Sequence, residues 1–112
     1  MTEKSNIENL IVDYLAKLDN HKFEEAGKHL ASEIKIKGPA GEAFTSITDF
    51  LNMLEKQNGR YHIKKIFVDR DDVAVFYDFK ASNVTAFMAS WYHVKNNKID
   101  SIQTIFDSKL FS

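Results

Sequence analysis

The chain has 112 residues, 44% hydrophobic and 28% charged, which fits one globular domain and excludes a two-domain enzyme. Fifteen basic against sixteen acidic residues leave a net charge of -1, so no field holds a nucleic acid or an anionic membrane surface. The absence of cysteine excludes disulfides, thiolate metal sites and a cysteine nucleophile.

Residues 1–6 are polar, and the apolar positions after them are broken by Glu8, Asn9 and Asp13, so no export-signal core is expected. No run approaches a membrane span of about 20 apolar residues, and the expectation is a cytoplasmic protein. Ile7, Leu10, Ile11, Tyr14, Leu15 and Leu18 then recur at helical spacing and predict an amphipathic helix, with Ser5 and Glu8 as a capping box at its start. Phe23, Ala26 and Leu30 predict a second, shorter helix.

Glu33 to Lys37 alternates with Ile34 and Ile36 apolar, the period of a strand with one buried face. Gly38-Pro39-Ala40-Gly41 ends it. Ser46 then caps a third helix carrying Ile47, Phe50, Leu51 and Leu54, which Asn58-Gly59 stops. From residue 61 the chain is rich in β-branched and aromatic residues, and residues 61–68, 73–80, 84–95 and 99–107 predict four strands. The short turns between them, two containing Asn, make these an antiparallel meander. Asn83-Val84-Thr85 matches a glycosylation acceptor but reads as one of these turns.

The order of elements, Tyr14 in the first helix, Gly38-Pro39-Ala40-Gly41 before the third, Val68 to Ala74 across a hairpin, and Lys98-Ile99 opening the last strand resemble the nuclear-transport-factor-2-like superfamily. Its SnoaL-like and ketosteroid isomerase branches look nearest. The resemblance implies one SnoaL-like domain over residues 1–112, of the α+β class. Its shape would be a cystatin-like cone, three N-terminal helices packed on a strongly curved antiparallel sheet, with a pocket at the wide end. In the isomerase branch a tyrosine of the first helix donates to the developing enolate, and Tyr14 stands at that place. The carboxylate base precedes the loop proline, where this chain has Gly38. A protonated acid in the third long strand completes that site, and Ser90 takes its position. General-base assistance is commonly worth about 10²- to 10⁴-fold, so steroid isomerisation is not expected.

Strand parity sorts the remaining side chains, with the inner face taken from the resemblance. Val73, Val75, Tyr77 and Phe79, then Met88, Ser90 and Tyr92, then Ile102, Thr104 and Phe106 point into the cone. With Tyr14, Leu18, Phe50 and Leu54 from the helices, the ligand-binding set is Tyr14, Leu18, Phe50, Leu54, Tyr77, Phe79, Met88, Ser90, Tyr92, Thr104 and Phe106. Phe76, Trp91, His93 and Ile105 fall on the outer face and predict a homodimer through it. Tyr14 is the first candidate for a catalytic role. His62, near a strand start at the rim, and the acids Asp78 and Asp107 follow, although Asp78 falls outward by parity. The four histidines lie on different elements without metal-ligand spacing, so neither a metal nor a cofactor is expected. Two functions fit: a binder of a small apolar or aromatic metabolite, for which the resemblance implies a cofactor-free lyase or isomerase, and a non-catalytic dimeric binding or association module.

Overall fold

The apolar stripe from Ile7 to Leu18 forms a helix, α1 (Thr2–Asp19), in a computed structural model that describes residues 2–39 and 41–106. The helix begins at Thr2, not at Ser5, whose side chain lies outside the described residues. A capping box permits a start without imposing one, and Glu3 and Lys4 are good helix formers that extend the turn upstream. The second helix, α2 (Phe23–Gly27), is shorter than its apolar spacing suggests, because Leu30 opens strand β1 (Leu30–Lys37) instead of closing α2. The Ile99 amide donates to the His29 carbonyl at 2.7 Å, drawing the chain into the sheet at that point.

Beyond the 38–41 turn, a two-residue strand, β2 (Ala43–Phe44), pairs antiparallel with β1 and had no periodic signal to announce it. In α3 (Ile47–Gln57) the Ser46 hydroxyl accepts from the Asp49 amide at 3.2 Å, and Asn58 ends the helix in the left-handed region at φ 51°. The meander follows as β3 (Arg60–Asp69), β4 (Asp72–Ala81), β5 (Val84–Lys95) and β6 (Lys98–Phe106). Asn96 and Asn97 both take positive φ, the conformation a two-residue hairpin turn demands, and Asn83 lies in the β4–β5 turn.

The six strands form one sheet in the order β2-β1-β6-β5-β4-β3. It is mixed where antiparallel pairing throughout was expected, because β1 runs parallel to β6 with Ile36 opposite Ile102. A strand separated from its neighbour by a helix and the meander is free to take either direction, and local periodicity carries no record of the choice. Only α1 and α2 precede the first strand; α3 follows β2.

Register shifts between Ile63 and Lys65 and between His93 and Val94 increase local twist and help the sheet curve. The shift in β3 also reverses parity: Tyr61 and Ile63 pack inward before it, Ile66 and Val68 after it. α1 lies across β3 and β4 while α3 meets β1 and β2, so the helices cover the same face from opposite ends. Ile11, Leu15, Ile34, Val73, Val75 and Ile99 are fully buried between these layers. No helix among the described residues is long and apolar enough to cross a membrane.

Candidate functional site

Between α1, α3 and the concave side of the sheet lies a cavity of about 220 Å³. Seven of its lining residues are aromatic, and they include all four tyrosines of the chain, Tyr14, Tyr61, Tyr77 and Tyr92. The four rings arrive from separate elements. Tyr14 occupies the buried stripe of α1 and meets Tyr92 edge-on at 6.0 Å. Tyr61 is set by the end of α1, where Asp19 accepts from Arg60 Nε at 2.9 Å and from the Tyr61 amide at 2.9 Å. The Arg60 guanidinium holds the Asp19 carboxyl below the usual carboxylate range, so this clasp is charged at neutral pH. Tyr61 then packs against Tyr77 at 5.8 Å and Phe79 at 5.1 Å.

The polar floor is a chain of hydroxyls. Tyr77 Oη lies 2.8 Å from Ser90 Oγ, and Ser90 Oγ lies 2.8 Å from Thr104 Oγ1. Among the described residues Ser90 is the single buried one classed as polar, and these bonds are what its burial requires. Burial pushes the phenols of Tyr14 and Tyr92 well above the ordinary tyrosine value and those of Tyr61 and Tyr77 above it as well. All four are therefore neutral donors at physiological pH. The exposed lining residues Lys37, Pro39, Glu42 and Gln57 mark the open end.

Of the ligand-binding set read from the sequence, Tyr14, Leu18, Phe50, Leu54, Tyr77, Phe79, Met88, Ser90, Tyr92 and Thr104 line this cavity together. The side chain of Phe106 lies outside the described residues, as does all of Asp107. The acid and base candidates are not brought here. His62 is exposed on β3, and Asp78, its partner across the ladder, forms an ion pair with Lys64 at 3.4 Å. Neither touches the cavity. Among the described residues no three His, Asp or Glu side chains gather as metal ligands would.

The loop before α3 sets a carboxylate beside Gly38. Gly38 lacks a side chain, and a Cβ built on it would stand 2.5 Å from the carboxyl carbon of Glu42. The turn is drawn tight by the Gly38 amide donating to the Glu42 carbonyl at 2.7 Å. Glu42 therefore brings a carboxylate to the space where a residue-38 side chain would begin, and it is the single carboxylate among the lining residues. Sequence reading missed Glu42, Tyr61, Phe44 and Met53. For Tyr61 a signal existed: the Lys64-Lys65 doublet breaks the alternation, which marks the parity change.

The convex face of the sheet carries an exposed apolar band. Phe67, Phe76 and Phe87 form a ladder across three strands with ring centroids 6.0 and 6.1 Å apart. Trp91 and Ile105 continue it at 56% and 60% exposure. Trp91 Nε1 donates to Asp72 at 2.9 Å, and His93 Nδ1 lies 2.6 Å from Asp100. The Asp100 bond raises the His93 pKa above its ordinary value. A raised folded value means that protonated His93 favours the fold fully below about pH 6.5, the unfolded value, and that this contribution fades as pH climbs through the folded one. An NMR titration of the ring is expected to show the raised midpoint, and Asp100→Asn to return it toward the ordinary value. An unchanged midpoint in the variant would assign the shift elsewhere.

A curved sheet closed by helices around a hydroxyl-floored cavity defines a class of α+β pocket folds. Among solved structures the chain is similar to an NTF2-like protein of unknown function from Cytophaga hutchinsonii, at 26% identity, TM-score 0.86 and 95% coverage of each chain. It is also similar to a protein provisionally described as a ketosteroid isomerase from Kribbella flavida, at 15% identity and TM-score 0.86 over 94% of this chain and 80% of that one. An LEH-like epoxide hydrolase from M. tuberculosis shares the fold at 14% identity and TM-score 0.80, over 96% and 86%. No protein-family model and no curated protein sequence matches the chain. It belongs to the nuclear-transport-factor-2-like superfamily.

Proposed function

We propose that the protein binds a small, uncharged, apolar or aromatic metabolite in the cavity. The observation that carries this reading is the convergence of all four tyrosines with Ser90 and Thr104 on one concave, mostly apolar space. Size narrows the ligand. An apolar cavity of about 150 Å³ is enough for benzene, so 220 Å³ suits one substituted ring and is small for a steroid. Gly38 in place of a base argues in the same direction.

Any proton transfer in this cavity would run through Glu42, which gives the lyase or isomerase reading its residue. The alternative, a non-catalytic association module, draws on the convex apolar band, and the two readings agree that a second copy covers it.

The test is a thermal-shift screen of single-ring and steroid compounds, followed by calorimetry of hits on Tyr14→Phe. Single-ring compounds are expected to raise the melting temperature and steroids to leave it unchanged. Loss of the Tyr14 hydroxyl should weaken a hit by about three- to tenfold, while stability moves by less than about 1.5 kcal/mol, the worth of one hydrogen bond. A screen in which only steroid-sized compounds stabilise, or none do, defeats the reading.

A further inference from the structure

We infer that Phe79, seated on the bare Cα of Gly59, is the specificity-determining side chain of the cavity, holding open a bay over Ala86 that takes a short alkyl substituent of a single-ring ligand. The inference rests on the ligand-binding reading above and names the ring substituent that reading leaves open.

The ring, and not its own backbone, explains why residue 59 is a glycine. The left-handed residue at the end of α3 is Asn58, at φ 51°, and Gly59 is not among the glycines of positive φ. What the position forbids is a side chain, because a Cβ there would stand 2.1 Å from Cζ and 2.2 Å from Cε1 of Phe79. The ring thus rests on the backbone just before β3 begins. That backbone is pinned from the end of α1 and the turn beyond it. His21 Nε2 donates to the Gly59 carbonyl at 3.0 Å, and Asp19 accepts from Arg60 Nε and from the Tyr61 amide, each at 2.9 Å.

Register decides what the ring leaves uncovered. Phe79 stands opposite Tyr61 on β3 and opposite Ala86 on β5, so it has an aromatic ring on one flank and a single methyl group on the other. Leaning on Gly59 carries it toward β3, and Ala86 is left as a lining residue of the cavity. Met88 follows on the same face of β5, so the bay is apolar.

The hydroxyl floor does not reach this place. Ser90 lies four residues along β5 from Ala86, about 13 Å at the usual rise of a strand. A polar or charged substituent would lose its water against apolar side chains here, whereas each methylene placed over Ala86 gains the ordinary worth of apolar burial.

Two uncharged ring compounds that differ by two methylenes, 4-methylphenol and 4-propylphenol, read the bay by calorimetry on the full chain, since the shared ring and hydroxyl cancel. The native protein is expected to bind the propyl compound about tenfold more tightly, in line with two buried methylenes. The bay can be closed from either side. Ala86→Val fills it from the strand, and Gly59→Ala drives the Phe79 ring across it, because Tyr61 occupies the other flank. Each variant should cut the propyl preference to about twofold or less and leave 4-methylphenol affinity within about threefold of the native value. Adding Phe79→Leu to Gly59→Ala gives back the room and should restore the preference. A native chain that binds the two phenols equally, or a preference that survives either single variant, overturns the bay and leaves the ligand-binding reading standing. Failure of both phenols to bind the native chain overturns both.

Discussion

If two copies pair through the convex face as proposed, a chain carrying Trp91→Lys together with Ile105→Lys is expected to remain monomeric at concentrations where the native protein dimerises. On the convex face Phe67, Phe87, Trp91 and Ile105 are exposed, with half-buried Phe76 ring-packed between the two phenylalanines, and an apolar face of that kind seldom stays open to water. In an isologous pair each copy contributes the same patch, so the double substitution places four ammonium groups in one apolar contact. Like charges juxtaposed at an interface cost several kcal/mol, and about 4 kcal/mol already weakens association a thousandfold. Light scattering over a dilution series reads the result. A native protein that is monomeric at high concentration, or a variant that pairs as well as the native chain, removes this face as the interface. The cavity lies on the opposite side of the sheet, so ligand affinity of the monomeric variant should match that of the native protein.

Gly59→Ala should lower stability by about 1–3 kcal/mol, the usual range for forcing extra volume into a filled site. A Cβ on Gly59 would fall 2.1 Å from Cζ of Phe79, a ring already packed edge-on against Tyr61 and unable to yield without entering the cavity. For a domain of this size that corresponds to a fall of roughly 4–15 °C in melting temperature. Phe79→Leu in the same chain makes room and should recover much of the loss. A single variant that melts with the native protein would show that the ring moves aside freely.

Most of the cavity was legible in the sequence because two periodicities meet there. The stripe through Tyr14 and Leu18 and the alternation through Tyr77, Phe79, Met88, Ser90 and Tyr92 each commit a face to the interior, and the pleat does the rest. What stayed hidden is what no period encodes. The direction of β1 depends on contacts with β6, distant in the chain, and Leu30 changes from helix to strand for the same reason. Glu42 reaches the cavity only because a tight turn folds it over the bare Cα of Gly38. Phe67 and Phe87, which extend the convex band, become neighbours of Phe76 only once strand register is known.

The register shift in β3 also bears on how the chain behaves in a crowded solution. β3 is an edge of the sheet, and ten residues of unpaired backbone are an open template on which another chain could add itself. Lys64 and Lys65 sit at the irregularity, where the strand bends, and Lys64 is an extra residue with no partner across the ladder. A strand approaching β3 from outside would meet a broken hydrogen-bond spacing and two ammonium groups, while at the other edge β2 covers only Ile36 and Lys37 of β1. At the β3 edge, then, the same local irregularity that aims Tyr61 at the cavity also works against edge-on addition of another chain.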